Sequence, residues 1–388
     1  MAKFKIVTTG PGNTDHSLEM ETLAAVGAEI IEINGSDDDL AKAAVDADAI
    51  YAKGRPRIPA KVIEAVKKLK VVSIGSVGVD SIDVAVATRL GIPVTNCPDT
   101  FIEEVADHAM TLILATWRRL VVQDRLVRNG EWAKARPMLY QYPRLMGQTL
   151  GFISFGHVAR AVARRAAPFG FTMLAYDPYI EELVMSEYGV QPVSYDELLE
   201  RSDIISMHAP GTKDAHHLMK EQHFRKMKKT ALFVNTGRGS TVDEAAMIKA
   251  LQEGWIAGAG LDVMEVEPIG HNNPMLGMDN VTLTAHVASA SARFDVARKR
   301  RAGAEMALVL SGKWPRSCVN PAVLEKSKLE RWQPYSMERG PMNAASNPWD
   351  WRPPAASRLS PGPRLGARCR RPGFRWQAAS ARRYAAWR

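Results

Sequence analysis

Residues 151–160 read GFISFGHVAR, a stretch that resembles a nucleotide-binding turn between a strand and a helix and so points to the class of fold. An apolar run, TLGFIS, precedes the turn, and a helical pattern, HVARAVARRAAPF, follows it. The glycine positions of the pattern G-x-G-x-x-G are occupied by Ser154, Gly156 and Ala159. Gly156 would let the backbone approach a pyrophosphate, the helix N-terminus would supply N–H donors, and alanine still permits close helix packing. The stretch therefore predicts a dinucleotide-binding loop.

Asp177 and Ser154 determine what this loop can bind. Asp177 ends the next strand, FTMLAY, 21 residues after Gly156. An acid at that spacing accepts hydrogen bonds from the adenine ribose hydroxyls, which favours NAD over NADP. Ser154 departs from the pattern, because a Cβ there costs about 1–2 kcal/mol if the backbone is left-handed. Alternatively, its hydroxyl contacts a phosphate.

Short apolar runs alternate with amphipathic helical segments, which implies parallel strands joined by helical crossovers. The strand-like runs before Pro98 are FKIVTT, AEIIEI, DAIYA, LKVVSIG and IPVTN, and the later ones are TLGFIS, FTMLAY, QPVS, DIISMH, ALFVNT, AGAGLDV and VTLTAH. Between the two series, DTFIEEVADHAMTLILATWRRL predicts a long helix with Thr100 and Glu103 placed as a capping box. We predict an α/β protein with two doubly wound parallel sheets.

The net charge of +9 is concentrated at the C-terminal end. From Arg331 onward there are twelve arginines and two acidic residues, so the preceding chain carries about −1. An arginine- and tryptophan-rich segment can bind nucleic acid, but this one has no pattern that could build a core. We interpret it as a disordered or non-native extension and expect no nucleic-acid partner.

Cysteine usage and hydropathy bear on the compartment. Cys97, Cys318 and Cys369 are far apart and form no C-x-x-C pair, so neither a disulfide framework nor a metal site is indicated. The N-terminus has no leader pattern, and no apolar run reaches the roughly 18 residues that a membrane helix needs. We expect a cytoplasmic protein.

Five motifs occur together in one order: SVGVDSIDVAVATRLGIPVTN, EEVADHAMTLIL, VNTGRGSTVDE, AGAGLDVMEVEP and LTAHVAS. From about Lys5 to Val323 the chain resembles the D-isomer-specific 2-hydroxyacid dehydrogenase family. The family's catalytic Arg, Glu and His match Arg238, Glu267 and His286. The resemblance implies an NAD-dependent oxidoreductase that interconverts a 2-keto acid and a D-2-hydroxy acid.

The chemistry of these three residue types suits that reaction. Hydride delivery to a ketone needs a proton at the oxygen where negative charge develops. Arg238 offers a planar fork of donors for the carboxylate and carbonyl oxygens, which a lysine could not duplicate. His286 can give and take the proton near neutral pH, and Glu267 would orient the ring and favour the imidazolium.

The resemblance also implies which residues border the substrate and the cofactor. The N–H groups of Val77 and Gly78, next to Ser76, would bind the substrate carboxylate. The cofactor set is Ser154, Gly156, His157, Val158, Asp177, His208, Ala209, Pro210, Thr236, Gly237, Arg238, Asp262 and His286. Asp262 would face the nicotinamide. Ala285 stands where the family usually has a proline before the catalytic histidine, but neither this departure nor Ser154 removes a reacting group.

The family's topology implies the domain organisation. A flavodoxin-like substrate domain would combine residues 1–99 and 288–324, with an NAD-binding Rossmann domain of residues 100–287 inserted into it and residues 325–388 as the tail. The segment NGEWAKARPMLYQYPRL resembles the family's dimer arm, so a homodimer is implied.

Three basic residues, Lys53, Arg55 and Arg57, follow a predicted strand end near the expected substrate entrance. We hypothesise that one of them, Lys53 first, binds a second anionic group of the substrate. Solvated charges on a loop are the alternative. The sequence does not indicate which 2-hydroxy acid is used.

A different class of function also fits the stretch RLMGQTLGFISFGHVARAVARRAAPFGFTMLAYDPY. It resembles the C-terminal-binding-protein corepressors, which share this fold and act as NAD-gated scaffolds. Because fold does not establish chemistry, a scaffold with little or no turnover remains the alternative to an enzyme.

Overall fold

Parallel strands and helical crossovers occupy most of the chain, as the alternating sequence pattern predicts. The structure is a computed structural model that describes residues 3–53 and 57–332. Arg55 and the segment from residue 333 onward therefore lie outside the described residues. The expectations for Arg55, for Cys369 and for most of the arginine-rich tail remain predictions.

The N-terminal half builds a five-stranded sheet. Its elements are β1 (Phe4–Thr9), α1 (Ser17–Leu23), β2 (Ala28–Ile33), α2 (Asp37–Ala44), β3 (Ala49–Ala52), α3 (Ala60–Ala65), β4 (Val71–Ile74), α4 (Val84–Arg89) and β5 (Val94–Thr95). The strands are parallel in the order β2-β1-β3-β4-β5. This is the flavodoxin-like order of a doubly wound sheet.

The following segment builds a seven-stranded sheet. Its elements are α5 (Ile102–Trp117), α6 (Leu120–Arg128), α7 (Trp132–Met138), β6 (Thr149–Ile153), α8 (His157–Ala166), β7 (Thr172–Tyr176), α9 (Glu182–Glu187), β8 (Gln191–Pro192), α10 (Tyr195–Arg201), β9 (Ile204–Met207), α11 (Glu221–Phe224), β10 (Leu232–Asn235), α12 (Glu244–Gln252), β11 (Gly258–Leu261) and β12 (Val281–Leu283). The parallel order β12-β11-β10-β9-β6-β7-β8 is the Rossmann order with one added strand. The predicted fold class is confirmed.

The central strands are buried along their whole length, as parallel strands covered on both faces should be. Strands β3, β4, β9, β10 and β11 show no exposed or half-exposed residue. Their near-continuous Val, Ile, Leu, Phe and Ala content explains why the sequence pattern was readable. Charged side chains are absent from these five strands.

After β12 the chain returns to the first sheet through α13 (Phe294–Leu310) and α14 (Ala322–Glu325). Ala302 and Met306 of α13 join the core formed by Ile6 and Tyr51. Farther along, the Asn320 side chain accepts a hydrogen bond from the Val94 N–H at 2.8 Å. The returning segment thus packs on the five-stranded sheet.

Residues 325–332, which the sequence assigns to the tail, include several that contact the preceding chain. The Trp314 indole donates to the Leu329 carbonyl at 3.1 Å, and its backbone N–H donates to the Glu330 carbonyl at 2.9 Å. The Arg331 guanidinium lies over the Trp314 ring, 4.4 Å from its centre. Residues up to 332 therefore contact the folded body through a tryptophan that precedes them.

The predicted capping box at the start of α5 is wrong. Phe101, rather than Thr100, is the residue that precedes the first helical turn, and no side chain caps it. Glu103 instead pairs with Arg164 at 3.0 Å and Arg165 at 2.6 Å on α8. Packing between two helices has replaced a local contact.

Among the described residues, no helix is long and apolar enough to cross a bilayer.

Candidate active site

The residues expected to bind and react all follow the carboxyl ends of strands. Ser154 follows β6, Asp177 follows β7, and the segments at 208–210, 236–238 and 262 follow β9, β10 and β11. His286 follows β12, while Lys53 and the loop at 76–78 follow β3 and β4 of the other sheet. Open α/β sheets bind ligands at this edge, because only there do loops from neighbouring strands converge.

Arg238 joins the two edges. Its Nε donates to the Asp80 carboxylate at 3.1 Å, across 158 residues of sequence. A Cβ built on Gly78 would lie 1.9 Å from the nearest guanidinium nitrogen of Arg238, so any larger residue here would displace the end of this side chain. Gly211 is similarly close, since a Cβ there would lie 2.8 Å from Asp80 and 3.1 Å from Arg238. The predicted substrate loop and the predicted catalytic arginine are thus in contact.

The loop at 76–78 is held so that its amides stay available. The Ser76 hydroxyl donates to the Gly78 carbonyl at 2.7 Å, and the Asn96 side chain donates to the Val77 carbonyl at 2.7 Å. Within the described ranges, the Val77 and Gly78 N–H groups have no acceptor. Two fixed, unused amides beside a guanidinium form a suitable site for a carboxylate.

His286 and Glu267 form the second part of the site. The His286 Nδ1 lies 2.8 Å from the Glu267 Oε2, with the imidazole about half exposed. This contact leaves Nε2 as the ring nitrogen that can exchange a proton with a ligand. The other carboxylate oxygen, Oε1, accepts a hydrogen bond from the Met264 N–H at 3.2 Å, which fixes the orientation of the acid.

The backbone at His286 is left-handed, with φ of 52°. Several hydrogen bonds to Asp262 hold this conformation. The Asp262 carbonyl accepts a hydrogen bond from the His286 N–H at 2.8 Å. The Asp262 carboxylate accepts hydrogen bonds from the N–H groups of Val287 and Ala288 at 2.9 and 3.0 Å. The Thr284 hydroxyl donates to the same carboxylate at 2.6 Å. Asp262 therefore positions the turn that carries His286, and its expected contact with the nicotinamide remains a prediction.

The glycine-pattern loop has the geometry of a phosphate site. Gly156 precedes the first turn of α8, His157 begins the helix, and Val158 is partly buried against the core. A Cβ built on Gly156 would meet nothing within 4 Å, so the space in front of the helix N-terminus is open. Helix N–H groups directed into open space are suited to an anion.

Ser154 does adopt the left-handed conformation, with φ of 71°. Its hydroxyl donates to the Asp177 Oδ2 at 3.1 Å, and the Phe155 N–H donates to the same oxygen at 2.8 Å. The second oxygen of Asp177 accepts from the Tyr179 N–H at 2.8 Å. Asp177 therefore also holds the turn together, a role that its spacing from Gly156 did not indicate.

Replacing Ser154 by glycine should relieve about 1–2 kcal/mol of left-handed strain while removing one hydrogen bond to Asp177. We expect the dissociation constant for NADH, measured by fluorescence titration, to stay the same or fall. Ser154→Ala is the matched control, because it keeps the strained Cβ and lacks the hydroxyl, and it should unfold at a lower temperature than Ser154→Gly. A tenfold higher dissociation constant for NADH in both variants would show that the Ser154 hydroxyl is a phosphate ligand.

The remaining cofactor candidates border the same edge. Ala209 is buried, Pro210 is exposed, and the Gly237 N–H donates to the Asn235 side chain at 2.9 Å. The Thr236 hydroxyl is buried and has no hydrogen-bond partner among the described residues. Burial lowers the pKa of His208 to about 4, and its Nε2 lies 2.9 Å from the Ser206 hydroxyl. His208 is therefore neutral at pH 7.

Lys53 does not provide a free positive charge. Its ammonium lies 2.8 Å from the Glu32 Oε1, and both side chains are largely buried. Burial by itself would raise the pKa of Glu32, but hydrogen bonds from Lys53 and Thr14 outweigh it and lower the pKa to about 2. The structure thus gives Lys53 a different partner from the one we expected. Of the two described basic residues Lys53 and Arg57, Arg57 is the one that donates to the Asp80 carbonyl, at 3.2 Å, next to the predicted substrate loop.

Sequence reasoning missed Asp80 and His108. Asp80 stands in the motif GSVGVD, two residues after Gly78, and could have been found by asking which acid neutralises Arg238. His108 lies on α5, and its Nε2 is 2.9 Å from the Thr284 hydroxyl and 3.4 Å from the Asp262 carboxylate. No local pattern marks His108, because its partners lie more than a hundred residues away.

The residues present fit a dinucleotide. The open N-terminus of α8 suits a pyrophosphate. The buried Thr236 hydroxyl has no hydrogen-bond partner among the described residues, and a bound ligand could supply one. Beside Asp177 lies a pocket of ≈ 430 Å³ that Ile180, Met185 and Val193 also line. A partly apolar pocket of this size next to a ribose-binding acid can hold an adenosine.

Known proteins resemble this chain in sequence and in structure. The model of the D-isomer specific 2-hydroxyacid dehydrogenase NAD-binding domain matches residues 110–288. A glyoxylate reductase from Korarchaeum cryptofilum is 47% identical over 247 residues, which cover 63% of this chain and 74% of that protein. A glyoxylate reductase from Thermofilum pendens is 41% identical over 300 residues, which cover 76% of this chain and 88% of that protein.

A solved structure adds a comparison of the folds. An NADPH-dependent glyoxylate/hydroxypyruvate reductase from Sinorhizobium meliloti, in complex with NADP and malonate, superimposes with a TM-score of 0.71 at 31% identity. The match covers 82% of this chain and 97% of that one. The likeness therefore extends over both sheets and is not confined to the cofactor-binding half.

Proposed function

This chain belongs to the D-isomer specific 2-hydroxyacid dehydrogenase family, and from that membership we propose that it reduces glyoxylate or a similarly small 2-keto acid to the 2-hydroxy acid. It is an oxidoreductase that uses a nicotinamide cofactor and acts on the CH–OH group of donors. The observation that carries the proposal is the pairing of His286 with Glu267 at 2.8 Å on the sheet edge that also carries Arg238.

We propose that the substrate carboxylate binds the Val77 and Gly78 N–H groups and that Arg238 holds the carboxylate and the ketone oxygen. The nicotinamide cofactor supplies the hydride. Because Nδ1 of His286 is bonded to Glu267, its Nε2–H donates the proton to the ketone oxygen as negative charge develops there. Glu267 stabilises the imidazolium before that transfer. In the oxidation direction, His286 takes the proton from the hydroxyl.

We propose NAD as the preferred cofactor. Gly156 and the α8 N-terminus would hold the pyrophosphate, while Asp177 would accept hydrogen bonds from the ribose hydroxyls. Glu182 and Glu197 line the same pocket as Asp177. A 2′-phosphate would meet this concentration of negative charge, and like charges in contact cost several kcal/mol. We therefore do not expect this chain to share the NADPH dependence of the Sinorhizobium meliloti reductase.

The corepressor-type scaffold is not favoured. The related proteins reported above are reductases, and the residues that would perform the chemistry are present and adjacent. A scaffold would not need the left-handed His286 turn that Asp262 holds in place, because strained backbone is retained where a function requires it.

We propose that residues 1–99 with 288–324 form a substrate domain and residues 100–287 a cofactor domain. We also propose a homodimer, because several large apolar side chains on and after α6 and α7 are exposed. Trp132 is 75% exposed and Tyr140 74%, and Leu120 is also exposed. Where such side chains form a contiguous patch, they mark an interaction surface. A monomeric mass in solution would contradict the homodimer.

Cys97 and Cys318 are free thiols, which agrees with the reduced, cytoplasmic setting that we propose. Recovery of the native protein in an oxidising compartment, with these thiols paired, would contradict that location.

The function is tested by following NADH oxidation with a panel of 2-keto acids. We expect turnover of glyoxylate and hydroxypyruvate, less turnover of a bulky 2-keto acid, and weaker activity when NADPH replaces NADH. Binding of NADH without turnover of any member of the panel would contradict the enzymatic proposal and favour a scaffold. Faster turnover with NADPH would contradict the cofactor proposal alone.

A further inference from the structure

His216, His217 and Glu265 lie together next to the catalytic loops. One possible ligand atom from each falls within 4.8 Å of the others. The histidines follow β9, and Glu265 follows β11, two residues before Glu267. The cluster is partly exposed, so an ion could reach it from solvent. None of these side chains has a part in the reaction proposed above.

The backbone brings the two histidine rings to one side. Neighbouring side chains of an extended chain point in opposite directions. Here His217 has a φ of 49°, and its ring stacks on that of His216 with centres 4.0 Å apart. A left-handed conformation is uncommon outside glycine, although histidine is among the residues that adopt it. Its cost persists only where the surroundings impose it, here the hydrogen bond from the His217 N–H to the Ser240 carbonyl at 2.9 Å.

The carboxylate of Glu265 is oriented by hydrogen bonds from behind. Its Oε2 accepts from the Glu244 N–H at 3.2 Å, and its own N–H donates to the Glu244 carboxylate at 2.9 Å. Glu244 is held in turn by Asn273 at 2.7 Å. The other carboxylate oxygen, Oε1, lies 2.5 Å from the Nε2 of His217. Outer hydrogen bonds that fix the direction of a carboxylate are typical of metal sites.

We propose that His216, His217 and Glu265 bind a divalent transition-metal ion of the zinc class. Two imidazoles and one carboxylate are ligands that Zn²⁺, Co²⁺ and Ni²⁺ prefer over Mg²⁺ or Ca²⁺. The ion replaces the hydrogen bond between His217 and Glu265, and water completes its coordination. The bound ion links the loop after β9 to the loop after β11. The proposal depends on the geometry of these three side chains and not on the substrate of the enzyme.

The site is tested on untagged, full-length protein with Zn²⁺ by calorimetry and with Co²⁺ by visible absorption. We expect saturable binding of one ion per chain and a cobalt spectrum of tetrahedral or five-coordinate type. His216→Ala and Glu265→Gln should each weaken the affinity at least about tenfold. His271→Ala, which removes another exposed histidine outside the cluster, is the matched control and should leave the affinity unchanged.

His216→Ala should fold normally, because this side chain is exposed and only its ring stacks on His217. Equal melting temperatures without metal, together with loss of the zinc-induced rise in melting temperature, would support the site. No saturable binding, or equal affinity in all three variants, would overturn it and leave the His217–Glu265 contact as a hydrogen bond between loops. The readout is metal binding, so failure here is distinguishable from failure of the proposed reaction.

Discussion

We expect His286→Ala to lower kcat for NADH-dependent reduction of the preferred 2-keto acid by about 10²–10⁴-fold, the range that a positioned acid–base group supplies. The ketone oxygen then has no proton donor at the point where charge develops. The dissociation constant for NADH should change by less than threefold, because His286 does not hold the phosphates. The corresponding change in the free energy of binding is roughly half a kcal/mol. Steady-state kinetics and a fluorescence titration measure the two effects separately.

Glu267→Gln is the control that separates the role of the proton donor, His286, from the role of the carboxylate that pairs with it. The amide keeps the shape of the carboxylate but lacks the charge that stabilises the imidazolium, so kcat should fall although His286 is still present. An unchanged kcat in His286→Ala would remove this residue from the mechanism. A parallel loss of NADH affinity would instead point to collapse of the turn that Asp262 holds.

The sequence predicted the elements whose signals are local. The central strands are buried on both faces, and an apolar run in the sequence marked each of the twelve described strands. Ser154 and Asp177 were found because a turn between strand and helix restricts the residues at fixed spacings. The left-handed backbone at Ser154 confirmed the strain that the missing glycine implied.

The contacts that the sequence did not reveal join distant segments. Asp80 accepts a hydrogen bond from Arg238, which lies 158 residues later in the chain. Lys53, which follows β3, forms an ion pair with Glu32 on β2. Basic residues after a strand look alike in sequence whether they are paired or free, so the sequence does not show that Lys53 pairs with Glu32. Binding of a second substrate anion by Lys53 remains a prediction. The capping box failed for a related reason, because Glu103 had arginines on α8 as partners.

The second large effect is expected from a single methyl group. In Gly78→Ala the new Cβ would lie 1.9 Å from an Arg238 guanidinium nitrogen, a distance that no real contact allows. The arginine must therefore move away from the loop that binds the substrate carboxylate. A displacement of about 1 Å at a positioning group can cost about 10²-fold in rate. We expect kcat/KM for the 2-keto acid to fall by about that factor, with KM carrying a large part of the loss.

Two further variants make this expectation specific to Arg238. Gly270→Ala adds the same methyl group where nothing lies within 4 Å, and its kinetics should match the wild type. Arg238→Lys keeps the charge but loses the planar fork of donors, so it should reproduce the loss in kcat/KM without the steric clash. If Gly78→Ala retained full activity while Arg238→Lys did not, the arginine would act from a position away from the 76–78 loop, and the carboxylate site proposed there would be wrong.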